Sequence, residues 1–465
     1  MIHPRHPIVA LLCGAVLVFA AGPGRAQPVT ADSAYSLSLQ QAIDGALATN
    51  VQTLLADARR DEAAGSRAEA RSAFLPHVSA DVSQSRRQTN LAAQGIDFGS
   101  ALSGSGNAAA AGGLAFPSVV TYNSFDARAT LRQSLFDYSA WQQYQGAKIG
   151  EEIADDQLAV AREQVATQAA LDYVQALAAR ESVTAAQADL DLSRTLTDLA
   201  TDQENVGIAT GVDVTRAQTR QARARARLAQ ARTDQTRADI RLARTVGLPL
   251  NAPLALSDRL AFRAVADGDI SDALGRALAA RPEIRLAARQ IHQREKLLAA
   301  ARGQRLPTLS AMADYGESGN TYRENDEDTY TVGAQIQIPI FDGGAIGARI
   351  DSAASRLAQQ RIQYRDTRQQ VEQDVRLARR TLTTLADQVD AAQAALGLAE
   401  RELNLSRDRF ANGLTDNIEV VDAQASLADA RNTQVAALAD YTRARINLAA
   451  ALGAAQQFRL ESSAP

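Results

Sequence analysis

Arg71-Ser72-Ala73-Phe74-Leu75-Pro76-His77-Val78-Ser79-Ala80 returns about 231 residues later as Arg302-Gly303-Gln304-Arg305-Leu306-Pro307-Thr308-Leu309-Ser310-Ala311. In both places a helical stretch meets Leu-Pro and stops, because the proline ring disfavours the helical conformation of the residue before it. Phe136-Asp137 recurs as Phe341-Asp342, about 205 residues on. The stretch from Gly207 through Ala217-Gln218 to Gly247 recurs about 206 residues on, as Gly413 through Ala423-Gln424 to Gly453. The offset changes because the first copy carries about 26 extra residues, within a Gly/Ala/Ser/Asn-rich segment from Asn90 to Pro117. That composition reads as loop. A period this long means a duplicated structural unit, not a short-repeat solenoid.

Each copy runs helix, strand, strand, helix, break, helix, repeat one over about 38–247 and repeat two over about 271–453. The first helix is expected from about Leu39 to Phe74, and its counterpart from about Ser271 to Leu306, split at Pro282. Val78, Ala80 and Val82 recur every second residue, as do Phe125, Ala127, Ala129 and Leu131, and Val332, Ala334, Ile336 and Ile338. That is the period of a strand with one apolar face. Strands are expected at about 77–89, 118–135, 307–318 and 329–340. Neither Ser139 to Glu204 nor Ala348 to Phe410 contains a proline, and each would make a rod roughly 95–100 Å long. In the second, Val371, Val375, Ala378, Leu382, Leu385, Val389, Ala392 and Leu396 step by alternating four and three, a coiled-coil seam.

Composition narrows the class. The 465 residues are 22% charged and only 5% aromatic, with mean hydropathy -0.21. After residue 26 no run approaches the ~18–20 apolar residues of a membrane-spanning helix. Residues 1–26 read as a secretory signal: Arg5, an apolar stretch from Ile8 to Ala21, then Gly24-Arg25-Ala26. The only cysteine, Cys13, falls inside it, so the exported chain, 27–465, is expected to carry no thiol. Outside the leader the histidines are His77 and His292 alone, and there is no Walker motif or Gly-x-Ser-x-Gly elbow. No enzyme, cofactor or metal site is expected. Gly343-Gly344 with Gly347 lacks dinucleotide-loop spacing and reads as a strand-to-helix junction. The Arg/Ala alternation from Arg220 to Arg232 reads as a solvated helix face, not a nucleic-acid site.

Four amphipathic strands in an exported chain present a problem, because open sheet edges are not tolerated in a bilayer. Oligomerisation solves it: three chains of four strands would give a 12-stranded barrel, inside the range of outer-membrane barrels. Phe136, Tyr138, Trp141 and Tyr144 stand where the second strand meets the long helix. They suit either an aromatic belt at the membrane interface or ordinary packing of the helix start. A trimeric surface stalk or adhesin is the competing reading. Adhesins place one anchor at one terminus, whereas strands here lie inside both repeats.

The duplicated order, Leu-Pro before each first strand and Phe-Asp after each second strand resemble the TolC family. So does Gly-x-x-x-x-x-[Asp/Glu]-Val-x-x-Ala-Gln, present at Gly207–Gln218 and Gly413–Gln424. The resemblance covers about Leu39 to Gly453 and implies a mostly α protein with a minor β part. It implies a homotrimer: an outer-membrane β-barrel continued by a long periplasmic α-helical barrel. Function would be that of a passive export duct in a tripartite efflux pump or type I secretion system. A periplasmic adaptor would open it and an inner-membrane transporter would energise it. By the same resemblance, Val206, Gly207, Ile208 and Thr210, with Gly413, Leu414 and Thr415, would be the tips that meet the adaptor. Glu419 and Asp422, three apart and so on one helix face, match acidic rings at the periplasmic entrance. Asp213 fits that gate or plain helix-start preference. Thr415 stands where the family's type member has a latch arginine, and Phe410 where it has a tyrosine. That shifts the expected closure from a salt bridge toward hydrophobic packing by Phe410.

Overall fold

The computed structural model describes residues 35–91, 93, 119–264, 269–322, 326–412, 414, 415 and 417–460. The expected leader at 1–26, nearly all of the Gly-rich segment and the tip residue Gly413 lie outside the described residues. Repeat one contributes β1 (Tyr35–Leu37), α1 (Leu39–Thr49), α2 (Val51–Ser72), β2 (His77–Asn90), β3 (Val119–Phe136), α3 (Tyr138–Asn205) and α4 (Gly211–Val246). After β4 (Leu254–Leu256), repeat two contributes α5 (Ile270–Ala280), α6 (Pro282–Gly303), β5 (Thr308–Gly319), β6 (Glu327–Gln337), α7 (Ala345–Ala411) and α8 (Asn417–Ala451).

One expectation fails: Leu39 to Phe74 is two helices, not one. Both repeats break at equivalent positions and in the same way. Asn50 (φ -67, ψ 133) and Arg281 (φ -65, ψ 125) are both extended between their helices. Pro282 enforces the second break. In the first, the Asn50 side chain accepts the Gln52 N–H at 2.9 Å, starting a new helix, a cap worth about 1 kcal/mol. β6 also ends earlier than the alternation suggested, since Pro339 has no N–H to extend the ladder.

The four long strands form one antiparallel sheet in the order β2-β3-β5-β6. Register aligns like with like. Val78, Leu131, Ala313 and Val332 make one continuous row, and Ser79, Thr130, Asp314 and Thr331 the next. One face is therefore apolar and the other polar. The apolar face is bare, with Val78 73% and Val332 76% exposed. β2 and β6 are the outer strands, so each keeps a free edge among the described residues.

α3 and α7, of 68 and 67 residues, are the long rods, each about 100 Å at 1.5 Å per residue. Gly343 (φ 68) and Gly344 (φ 88) take left-handed conformations between β6 and α7, which side chains with a Cβ disfavour. α4 returns along α3 and α8 along α7, while α3 packs on α8. The helices therefore lie in the order α4-α3-α8-α7. Val371, Val375, Leu382, Val389 and Ala392 of the expected seam are buried between them. At the rod's start, Phe74 meets Trp141 and Tyr144 edge-on and those two rings are tilted against each other, with centroids 5.8–6.2 Å apart. Phe136 stays half exposed.

The sequence did not disclose the short parallel pair β1–β4, which sits midway along the rods over a core of Leu39, Ile43, Tyr173, Val174 and Ile446. There the buried Asp258 carboxylate meets the Leu39 N–H at 2.8 Å and the Tyr173 hydroxyl at 2.7 Å. No described helix is long and apolar enough to cross a membrane.

Candidate functional site

Both hairpins turn at the end of the rods farthest from the sheet. In the first, the Gly207 N–H bonds Glu204 O at 2.9 Å and the Ile208 N–H bonds Gln203 O at 2.8 Å. Gly207 is left-handed (φ 78), the geometry of a Schellman stop. Val206 and Ile208 project into solvent, 69% and 64% exposed. α4 restarts at Thr210, whose N–H and hydroxyl both donate to Asp213 Oδ2, at 3.0 and 2.7 Å. Arg216 lies 3.8 Å from the other oxygen. The Thr210 hydroxyl, then its N–H, then Arg216 hold the Asp213 carboxyl below its ordinary value. Asp213 is thus engaged as a helix cap.

The second turn follows the same plan, with the Leu414 N–H bonding Arg409 O at 2.9 Å and Leu414 71% exposed. Thr415 donates to Glu419 Oε2, Ser406 donates to Oε1 at 3.4 Å, and Arg409 Nε lies 3.5 Å from Oε1. Glu419 is therefore held on its own tip by three neighbours, and Thr415 is the residue that orients it. Asp422 is exposed about one turn further along α8. Phe410 is only 5% exposed, packed among Leu196, Leu403, Val420 and Leu427 of its own chain. It packs the second tip against α3.

Just above the tips lies a polar knot that sequence reasoning missed. Asp189 of α3 is 4% exposed. Arg227 pairs with it through a very short contact, and Arg220 Nη2 lies 3.9 Å away. Gln424 of α8, itself 1% exposed, donates to Ser193 Oγ and stands 3.5 Å from Asp189. Burial pulls the Arg220 guanidinium below its ordinary value, against the nearby Asp189 charge. The arginine run thus divides. Arg223, Arg225 and Arg232 are solvated as expected, while Arg220 and Arg227 turn inward. Their seven-residue spacing, two helical turns on one face, was the available signal.

Among the described residues no cluster of His, Cys, Asp and Glu could hold a metal ion. What the geometry offers is a pair of exposed apolar fingertips, carboxylates beside them, and a buried joint tying one hairpin to the other. The model of the family described as outer membrane efflux protein matches residues 42–248 and 273–454. The chain belongs to the outer membrane efflux protein family. Both matched segments coincide with the two structural repeats.

Like other members of that family, it is an outer-membrane channel with a long periplasmic helical part. It is 26% identical over 346 residues to the alkaline protease secretion protein AprF of Pseudomonas aeruginosa, covering 73% of this chain and 72% of that one. It is 26% identical over 347 residues to the proteases secretion protein PrtF of Dickeya chrysanthemi, covering 70% and 72%. Its fold matches the CmeC outer membrane channel of Campylobacter jejuni with TM-score 0.75 at 19% identity, over 92% of this chain and 87% of that one.

Proposed function

We propose that this channel is a homotrimeric passive export duct, opened at its periplasmic tips by an adaptor protein and energised by an inner-membrane transporter. The observation that carries this reading is the sheet. Among the described residues its apolar face is bare, its polar face is continuous through all four strands, and both edges are free. Such a sheet needs further strands to close around a polar lumen before it can sit in lipid. Relatives named for protease secretion and for toluene or antibiotic efflux support export as the task. Lipid meets the apolar face.

In a trimer Glu419 and Asp422 each become three carboxylates around one axis, a ring that attracts cations and repels anions. Asp213, Phe410 and Thr415 complete the constriction indirectly, by capping α4, bolting the tip and orienting Glu419. The exposed residues around each turn, Val206, Ile208 and Thr210 on one and Leu414 on the other, form the adaptor contact, with Gly207 giving the first turn its shape and Gly413 standing at the matching place in the sequence of the second. Recordings from purified protein in planar bilayers test the duct. A large conductance is expected, cation-selective and blocked by divalent cations, with selectivity and block both lost when Glu419 and Asp422 are replaced by Ala. A protein with no regulated conductance would be a stalk. Cross-linking from Ile208→Cys or Leu414→Cys to a co-expressed adaptor tests the contact. These sites are preferable to Gly207, where a side chain would strain the left-handed backbone.

A further inference from the structure

The stretch repeated before each first strand opens on an arginine in both copies, Arg71 and Arg302. Each stands exposed in the last turn of a helix that ends beneath the sheet, α2 and α6, and neither has an ion pair among the described residues. One turn below Arg71 the pattern differs, because Arg67 is held by Glu151 at 2.7 Å and by Tyr144. Arg67, Arg71 and Phe74 are four and three residues apart, so they share the face of α2 that packs on α3. Phe74 meets Trp141 and Tyr144 on that face. Arg71 therefore falls between the aromatic contact and the ion pair, across from Lys148 of α3. Lys148 is also exposed and also lacks an ion pair among the described residues.

Two cations thus border one groove with no carboxylate paired to either. Glu69, two residues from Arg71, points off the shared face, and Asp137 and Asp342 are occupied as helix caps. Offsetting the negative helix end would account for Arg71 and Arg302. It does not account for Lys148, three turns inside α3. Tyr138, Trp141, Gln145 and Lys148 are three, four and three apart and form one stripe of that helix. The opposite stripe, Gln143, Ala147, Gly150 and Ala154, has no aromatic ring. Tyr138 lies over Gly303 at the end of α6, where a Cβ would come within 2.7 Å of its ring. With Arg302 it borders a groove of about 1080 Å³ that Leu298 and Leu357 also line.

From the sheet downward the junction shows exposed apolar side chains at Phe136, Leu306 and Phe341, then the Tyr138 and Trp141 rings, then the three cations. Acyl chains, glycerol region and phosphates follow in the same order on leaving a bilayer. Rings with a polar edge settle in the middle layer, and long basic side chains reach back from below toward the phosphates. We propose that Arg71, Lys148 and Arg302 form a collar that binds the phosphate headgroups of anionic phospholipids in the periplasmic leaflet. The proposal rests on the membrane duct above and adds a lipid preference and the residues that set it.

Trp141 is the only tryptophan in the chain, so its fluorescence reports on the collar. The full chain is reconstituted in phosphatidylcholine vesicles containing either brominated phosphatidylglycerol or brominated phosphatidylcholine. The phosphatidylglycerol should quench Trp141 at about fivefold lower mole fraction, the gain one basic side chain brings at an anionic surface. High salt should close that gap. Arg71→Gln, Lys148→Gln and Arg302→Gln together should abolish the preference. Arg71→Lys with Arg302→Lys should keep it, and Arg59→Gln, farther down α2, should leave it unchanged. Equal quenching by the two lipids in the wild type, or a preference that survives the triple substitution, overturns the headgroup site. So does an absence of quenching by either lipid, which would put Trp141 outside the bilayer. Conductance of the same preparation in planar bilayers reports separately on whether the duct stands.

Discussion

Gln424, near the start of the last long helix, donates a hydrogen bond to Ser193 Oγ, 231 residues earlier in the chain, and both side chains are buried. The Ser193 hydroxyl in turn donates to the Asp189 carbonyl at 2.7 Å. This bond ties the second hairpin to the first immediately above the tips. Gln424→Ala leaves buried polar groups unmatched, at about 1–3 kcal/mol. Gln424→Glu does more, since it sets a second carboxylate beside Asp189 where water is excluded. Hydrogen exchange should be faster around Ser193 and over the first turns of α8 in both variants, with Glu exceeding Ala. Equal protection in all three proteins would mean that the bond does not hold the joint.

Asp189 is the anchor of the same knot, and its two arginines are unequal. Arg220 is 12% and Arg227 37% exposed. Removing the acid takes from the largely buried Arg220 its ion-pair partner. Asp189→Ala should cost about 3 kcal/mol, the lower end of the range for breaking a buried pair, because Arg227 can turn to water. Arg232→Ala, on the solvated side of α4, should stay within about 0.5 kcal/mol. Denaturant unfolding of the purified protein separates the two.

Duplication and two periods made most of this fold legible. Leu-Pro and Phe-Asp bracket each strand pair, period two assigns the apolar face, and alternating steps of three and four assign the helix seam. The knot was not legible for a definite reason. Its members come from three helices, and each looks ordinary in its own: Asp189 as one of many acids on α3, Arg220 and Arg227 as part of a solvated stripe. Only Gln424 carried a mark, as part of the repeated Ala-Gln motif. The break at Asn50 escaped because Asn in a helical pattern is weak punctuation compared with Pro282. Glu419 and Asp422 share a face, as their spacing implied, but which neighbours hold Glu419 depends on a turn that brings Ser406 and Arg409 back beside α8.

Asp213 makes the first tip sensitive to acid in a defined direction. Its folded carboxyl sits below the ordinary value of 3.8 because Thr210 donates to the charged form twice. The stabilisation is therefore complete above about pH 4 and disappears as pH falls through the depressed value. Asp213→Asn should remove this charge-dependent part at every pH, loosening the first turn of α4 by about 0.3–1 kcal/mol. Amide exchange at Asp213 and Val214 measured from neutral to pH 3, after correction for intrinsic rates, should rise only at the acid end in the wild type. In the Asn variant the profile should be flat.

Phe410 and Glu419 sit on either side of the same turn and should control different properties of the pore. Phe410 is buried against Leu196 of α3 as well as Val420 and Leu427 of α8, so Phe410→Ala opens a cavity where the two hairpins meet. Large-to-small changes at such a site cost about 3–5 kcal/mol. That loss falls on the arrangement in which the tip is bolted to α3. The variant should open more often, or at lower applied voltage, with its cation preference unchanged because no charge has moved. Glu419→Gln removes a charge from the entrance but only a half-exposed ion pair with Arg409 from the fold, worth at most about 1 kcal/mol. It should therefore shift reversal potential under a salt gradient and leave opening frequency nearly untouched. The two substitutions together should show both changes, each at its single-variant size. If Phe410→Ala altered selectivity, the ring would have to face the lumen, against its 5% exposure inside one chain.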